Sequence, residues 1–223
     1  LIVKARDIEK GEIKERKDTC EDGRRVELHL HTKMSSMDGL NDAKDVVKQA
    51  IKWGHPAIAI TDHGVVQSFP DAASAAGDKI KVIYGMEGYL LDDTGLIDED
   101  GNIDYKARGT YHIILLARTQ EGLKNIYKLV SLSHLNYFYR RPRIPRSVLE
   151  KHREGIIIGA ACEAGEVYCG FKQGKSDDEI REIAGFYDYL EIQPLINNRY
   201  LVEDVKIFPD NETLKDVNRR IIA

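Results

Sequence analysis

A chain of 223 residues can hold one large domain or two small ones. Hydrophobic residues at 42 % and charged residues at 31 % exclude disordered and collagen-like chains, and no apolar run approaches the roughly 18 residues of a membrane span. A formal charge of −4 excludes a wholly basic nucleic-acid binder but leaves room for a local basic patch.

Residues 1–22 carry alternating charge, little apolar content beyond the first positions and a possible turn at Lys10-Gly11. They read as a linker or the end of a preceding region, and Lys4 comes too early for a secretory signal. From residue 23 onward, short apolar runs alternate with helical stretches. RRVELHLH (24–31) alternates with a period of two, setting Val26, Leu28 and Leu30 on one face and Glu27, His29 and His31 on the other. A helix follows over 41–53, with Asn41 or Asp42 as cap and Gly54 as stop. Strands are expected at 57–61 and 81–91, with a helix at 70–77 between them. The polar stretch 92–110 is long for a loop inside a compact domain.

Beyond it come a strand at 111–117, a helix at 119–135 opening at Thr119, and a short helix at 146–152. A strand at 155–161, a helix at 176–186, a strand at 188–195 and a helix capped by Asn211 complete the chain. About six strands separated by helices give an α/β class with a mainly parallel sheet, as a barrel or an open sheet. In a closed barrel the last helix should lead to another strand, so the chain reads as cut short.

Chemistry concentrates at strand ends, where β/α folds build their sites. His29 and His31 share one side of a strand and make a chelating pair, or two edge histidines at the surface. Asp38 lies in the following loop, and Asp62 and His63 come directly after the strand AIAI. Glu87 stands mid-strand, where burial is costly unless a metal, or an Arg or Lys, pairs with it. His112 opens the next strand. Cys162 follows GIIIGAA, as a thiolate ligand or a small buried apolar residue. Each candidate lies in or beside a different predicted strand. The stretch 137–153 sets Arg140, Arg141, Arg143 and Arg146 beside Tyr137, Phe138 and Tyr139. It could bind nucleic acid through phosphate forks and stacked bases, or form a solvated basic loop. Cys20, Cys162 and Cys169 form no disulfide framework, and their odd count suits a reducing cytoplasm.

The segments RVELHLHTKMSSMDG, WGHPAIAITDHGVVQSFPDA, VIYGMEGYLLDD, YHIILLA, FYRRPRIP and IIIGAACEAGEVY occur in the order of a known family. The chain resembles the PHP (polymerase and histidinol phosphatase) domain, and within it that of PolC-type DNA polymerase III alpha subunits. The resemblance implies a distorted seven-stranded β/α barrel over 23–223, holding up to three divalent metals. Its ligands would be His29, His31, Asp38, His63, Glu87, His112 and Cys162, with Asp62 supporting them. Zinc suits this donor set best, with manganese or iron as alternatives. The family's closing Asp-x-His pair does not occur before Ala223, leaving two of the three metal positions incomplete. Residues 92–110 stand where the family carries an inserted exonuclease.

The implied activity is a multi-metal phosphoesterase or 3′→5′ nuclease within a cytoplasmic replicative polymerase. Its partners would be DNA, through Arg140, Arg141 and Arg143, and other replisome subunits, with no membrane. The rival reading is a silent, metal-stabilised scaffold for the polymerase. A free-standing histidinol-phosphate-type phosphatase fits less well, given the polymerase-like YFYRRPRIP.

Overall fold

A computed structural model describes residues 17–20 and 23–223; the expected turn at Lys10-Gly11 lies outside them. The elements run α1 (Ala43–Trp53), β1 (Ala57–Ile60), α2 (Phe69–Ala76), β2 (Lys81–Leu91), β3 (Tyr111–Ala117) and α3 (Gln120–Leu135). They continue with β4 (Phe138–Tyr139), β5 (Arg141–Pro145), α4 (Arg146–Lys151), β6 (Ile156–Ala160), α5 (Glu166–Lys172) and α6 (Asp177–Ala184). The last are α7 (Leu195–Asn198), α8 (Tyr200–Glu203) and α9 (Asn211–Ile222).

Local chemistry accounts for most boundaries. The apolar stripe of α1 buries Ala43, Val47 and Ala50, and Gly54 ends the helix at φ 75°. Thr119 caps α3 by accepting a hydrogen bond from the Gly122 N–H. At α9 the cap is Asp210, whose carboxylate accepts from the Thr213 N–H, and not Asn211.

β2 is the axis of a six-stranded sheet. Its first half pairs parallel with β1 and its end pairs parallel with β5, while β3 runs antiparallel along residues 85–90. β6 is antiparallel to β3. The sheet is therefore mixed, not mainly parallel: β2 and β3 are joined by the 92–110 loop, which contains no crossover helix to reverse the chain. That loop folds on itself through an Ile97–Ile103 bridge and is pinned by buried Asp93, which accepts hydrogen bonds from Ser147 N and Oγ.

The described residues pair six strands, and neither a seventh strand nor closure of the expected distorted seven-stranded barrel is seen among them. Segments 24–31 and 188–195, both expected as strands, form no ladder with the sheet; their backbones meet it through isolated bridges, Glu27 to Ile58 and Gly159 to Tyr189, and a few neighbouring hydrogen bonds. Among the described residues no backbone pairing joins the two segments, so the sheet stays open between them. A trench of about 410 Å³ separates 25–29 from 189–194.

Alternation buries β3 on both faces. Ile113 and Leu115 pack toward α3, α4 and α5, while Ile114 and Leu116 meet Ala59 and Ala161 on the concave side. A third cluster packs α1 and α2 on β1. The concave side thus has an apolar floor. One rim is built by the C-terminal ends of β1 and β6 together with the start of antiparallel β3. No helix among the described residues is long and apolar enough to cross a membrane.

Candidate metal centre

The rim gathers the candidate ligands because strand direction delivers them there. β1 runs out into Asp62 and His63, β3 enters at His112, and β6 leaves at Cys162. Glu87 faces Ile114 across the β2–β3 ladder, two positions from the Tyr89–His112 pair. Leu28 and Leu30 pack into the apolar clusters, and His29 and His31 turn to the opposite side, as period-two alternation requires.

Glu87 is the hub and is 1 % exposed. Its Oε2 lies 3.2 Å from His29 Nε2, 3.0 Å from His31 Nε2 and 3.1 Å from His63 Nδ1. Its Oε1 lies 2.9 Å from His112 Nδ1 and 3.9 Å from Cys162 Sγ. Asp38, more exposed, sits 3.4 Å from both His31 Nδ1 and His63 Nε2. The structure therefore brings together all seven residues that the resemblance nominates. Burial opposes ionisation of Glu87, but contacts with His112, His29 and His31 outweigh it and hold the carboxyl well below its usual range.

The proton positions can be followed outward from Asp62. This carboxylate, also 1 % exposed, accepts hydrogen bonds from Thr32 N and Oγ1, Ser35 Oγ and Ser68 Oγ at 2.6–2.8 Å. Ser35 has given its only proton to Asp62, so its oxygen accepts from the His63 N–H and from His31 Nδ1 at 2.9 Å. Neutral His31 then carries its lone pair on Nε2, aimed at Glu87. His29 Nδ1 donates to Glu191 Oε2 at 2.8 Å, which turns His29 Nε2 toward the same point, 3.1 Å from His31 Nε2.

Two imidazole lone pairs and a carboxylate cannot share that space without a cation between them. A proton can fill the role: burial works against the imidazolium, but Glu191 and Glu87 overcome it and push His29 up to about 10. A divalent metal fits the same arrangement. Buried His63 Nδ1, close to Glu87 yet without a hydrogen bond, points the same way. Burial lowers the His63 pKa, keeping its ring neutral as a ligand must be. Burial, with the charges of Glu87 and Glu163, pushes the Cys162 thiol well up, so a thiolate there also needs a cation.

A cavity of about 490 Å³ opens over the cluster, and its far wall is made of Glu163, Gln193, Asn197, Asn198 and Tyr200. Tyr200 Oη donates to Glu163 at 2.8 Å. The sequence reading missed this wall, together with Glu191 and Ser35. Glu191 had the same signal as Glu87, a carboxylate within a predicted strand; the serine had none. Of the four arginines at 140–146, two are not available at the surface. Arg143 is 6 % exposed and donates to the carbonyls of Tyr105, Arg108 and Tyr139; this corrects the expectation that it meets nucleic acid. Arg146 is paired with Glu166 at 2.6 Å.

The chain is 30 % identical to the PolC-type DNA polymerase III of Clostridium perfringens, with 99 % of this chain covered and 28 % of the relative. It is 28 % identical to that of Bacillus subtilis, over 97 % of this chain and 28 % of the relative. The chain thus spans less than a third of the curated relatives it matches. The first alignment runs over 411 positions against 223 residues here, so the relative carries sequence between matched blocks with no counterpart in this chain. Among solved structures, one assigned as a metal-dependent phosphoesterase from Bifidobacterium adolescentis is 15 % identical, with a TM-score of 0.45, covering 87 % of this chain and 96 % of that one. Residues 27–203 match the PHP domain, most of the chain, and the chain accordingly belongs to the PHP domain family.

Proposed function

We propose that the rim cluster binds divalent cations and serves a phosphoesterase, in the form of a 3′→5′ nuclease site within a PolC-type replicative polymerase acting on DNA in the cytoplasm with other replisome subunits. One observation carries this reading: four imidazoles from three separate segments surround a single buried carboxylate within 3.2 Å. Ions would be held by His29, His31, Asp38, His63, Glu87, His112 and Cys162, a donor set that suits zinc best and admits manganese or iron. When bound, such ions lower the pKa of a water and neutralise phosphate oxygens. The chain's own residues orient the site. Asp62, through Ser35, fixes the His31 proton on Nδ1, and Glu191 does the same for His29. We also propose that the relatives' additional sequence between matched blocks falls at the 92–110 loop.

The test is metal content by mass spectrometry of the wild type and Glu87→Gln, followed by turnover of a phosphodiester and of end-labelled single-stranded DNA. We expect bound divalent metal and turnover in the wild type, both lost in the variant. A wild type that takes up no ion, or a variant that keeps its full complement, overturns the reading. The scaffold alternative has its own support: the His29–Glu191 contact is a side-chain tie across the open gap of the sheet. Metal-loaded protein that turns over no phosphodiester, yet melts lower once stripped, would favour it.

A further inference from the structure

The arginine hairpin is seated against the candidate metal centre, and two of its cations pair with no carboxylate among the described residues: Arg140, which lies over Tyr139 of the hairpin itself, and Arg141, which lies over Tyr89 beside the candidate ligands. β4 and β5 form a tight hairpin that turns at Arg140, at φ 64°. Its Pro142 packs against Gly64, directly after His63; a Cβ at Gly64 would lie 2.6 Å from Pro142 Cγ. His134 Nε2 donates to the Gly64 carbonyl at 2.9 Å and its ring stacks on Phe138, tying the hairpin base to the same loop. The exposed Arg141 guanidinium lies over the Tyr89 ring at 4.7 Å. Tyr89 in turn stacks parallel to His63 at 5.5 Å and edge-on to His112 at 5.4 Å. Arg141 has no carboxylate partner among the described residues, whereas Arg143 is used on carbonyls and Arg146 on Glu166.

A cation that only stabilised the fold would be expected to neutralise an acid or bury its fork. Arg141 does neither. It lies over the ring of Tyr89, which itself stacks on the candidate ligand His63, and its exposed N–H fork makes no side-chain hydrogen bond among the described residues. We propose that Arg141, on its Tyr89 seat, binds the non-bridging oxygens of a phosphodiester in single-stranded nucleic acid while a neighbouring phosphate lies at the cluster. This rests on the phosphoesterase reading and adds to it a residue that holds the substrate's backbone. Arg141 is a binding residue in this assignment, and Tyr89 and Gly64 position it.

The test uses the whole chain in EDTA, so that it is independent of metal loading. Binding of a short fluorescein-labelled oligothymidylate is followed by anisotropy from about 50 to 200 mM salt, where each lost phosphate contact on a single strand flattens the slope of log affinity against log salt by about 0.7. Arg141→Ala should lose that increment and bind about tenfold more weakly at low salt. Arg141→Lys should keep the slope while losing part of the affinity. Arg140→Gly removes the same charge from the same hairpin and should change the slope less. An unchanged slope in Arg141→Ala, an equal loss in both hairpin variants, or a wild type that binds no oligonucleotide overturns the assignment. Metal content measured on the same preparations before EDTA is added separates this failure from failure of the metal reading.

Discussion

Asp62 and Glu87 are equally buried, and they meet the cost of burial in different ways. Glu87 is surrounded by imidazoles, whose protonation or metallation supplies positive charge. Among the described residues no cation pairs with Asp62; one N–H and three hydroxyls carry the burden of solvation. Removing that carboxylate in Asp62→Ala takes the acceptor from four buried donors, of which only Thr32 Oγ1 and Ser68 Oγ, 2.6 Å apart, can pair with each other, and it releases Ser35 from its fixed orientation. A loss of about 3 kcal/mol or more is expected in urea unfolding of the metal-free protein, together with weaker metal binding through His31. Unchanged stability would mean that water replaces the carboxylate and that its network is not structural. At this scale the candidate ligands were legible because imidazole, carboxylate and thiol side chains are uncommon at strand ends and their chemistry is specific. Thr32, Ser35 and Ser68 were not, since hydroxyl residues are ordinary in loops and only the folded chain shows that three of them face one acid. Arg143 was misread for a related reason. Its sequence neighbours are exposed arginines, and nothing local says that its own side chain turns inward to the carbonyls of the 92–110 loop.

At the scale of elements, β2 and β3 were readable to the residue because runs buried on both faces have sharp polar ends. The helices with a cap at one end and an apolar stripe were equally plain. Segments 24–31 and 188–195 also alternate, yet neither becomes a full strand. Alternation reports which side is apolar; it does not supply the neighbouring backbone that a ladder needs. The β4–β5 hairpin was hidden by its two prolines, which occupy Pro142 and the end of β5 at Pro145. Its seat on the His63 loop depends on Gly64, which stands at φ 63° with Pro142 against it. Gly64→Ala meets both obstacles. It should cost about 1–3 kcal/mol in denaturant unfolding, and it should lower metal affinity because His63 is the adjacent residue. Tm and metal titration on the same variant check the two halves. A stable variant with normal metal uptake would show that the loop adjusts without the hairpin.

For the molecule as a whole, the gap between 24–31 and 188–191 decides how the site and the fold depend on each other. The sheet is continuous from β1 through β6, but its two flanking segments approach only through side chains, with His29 against Glu191. Class and chain order were legible from the alternation of strands and helices, whereas closure was not, because it depends on pairing between segments more than 160 positions apart. The same geometry would make a metal bound by the cluster a structural tie. An ion shared by His29, His31 and Glu87 would join the first flanking segment to β2, and through Glu191 it would steady the second. A site that is assembled only in the folded chain returns its binding free energy as folding free energy. Stripping the protein with chelator should therefore lower Tm, and the loss should be reversed by adding back the metal in proportion to its affinity. Hydrogen exchange locates the effect. Amides of 26–31 and 188–193 should lose protection on metal removal well before those of β2 and β3, whose ladders and apolar packing need no ion. Uniform deprotection across all strands would instead make the cluster part of the global folding core. No change at either flank would separate metal binding from the fold altogether and leave the cluster to its chemistry alone.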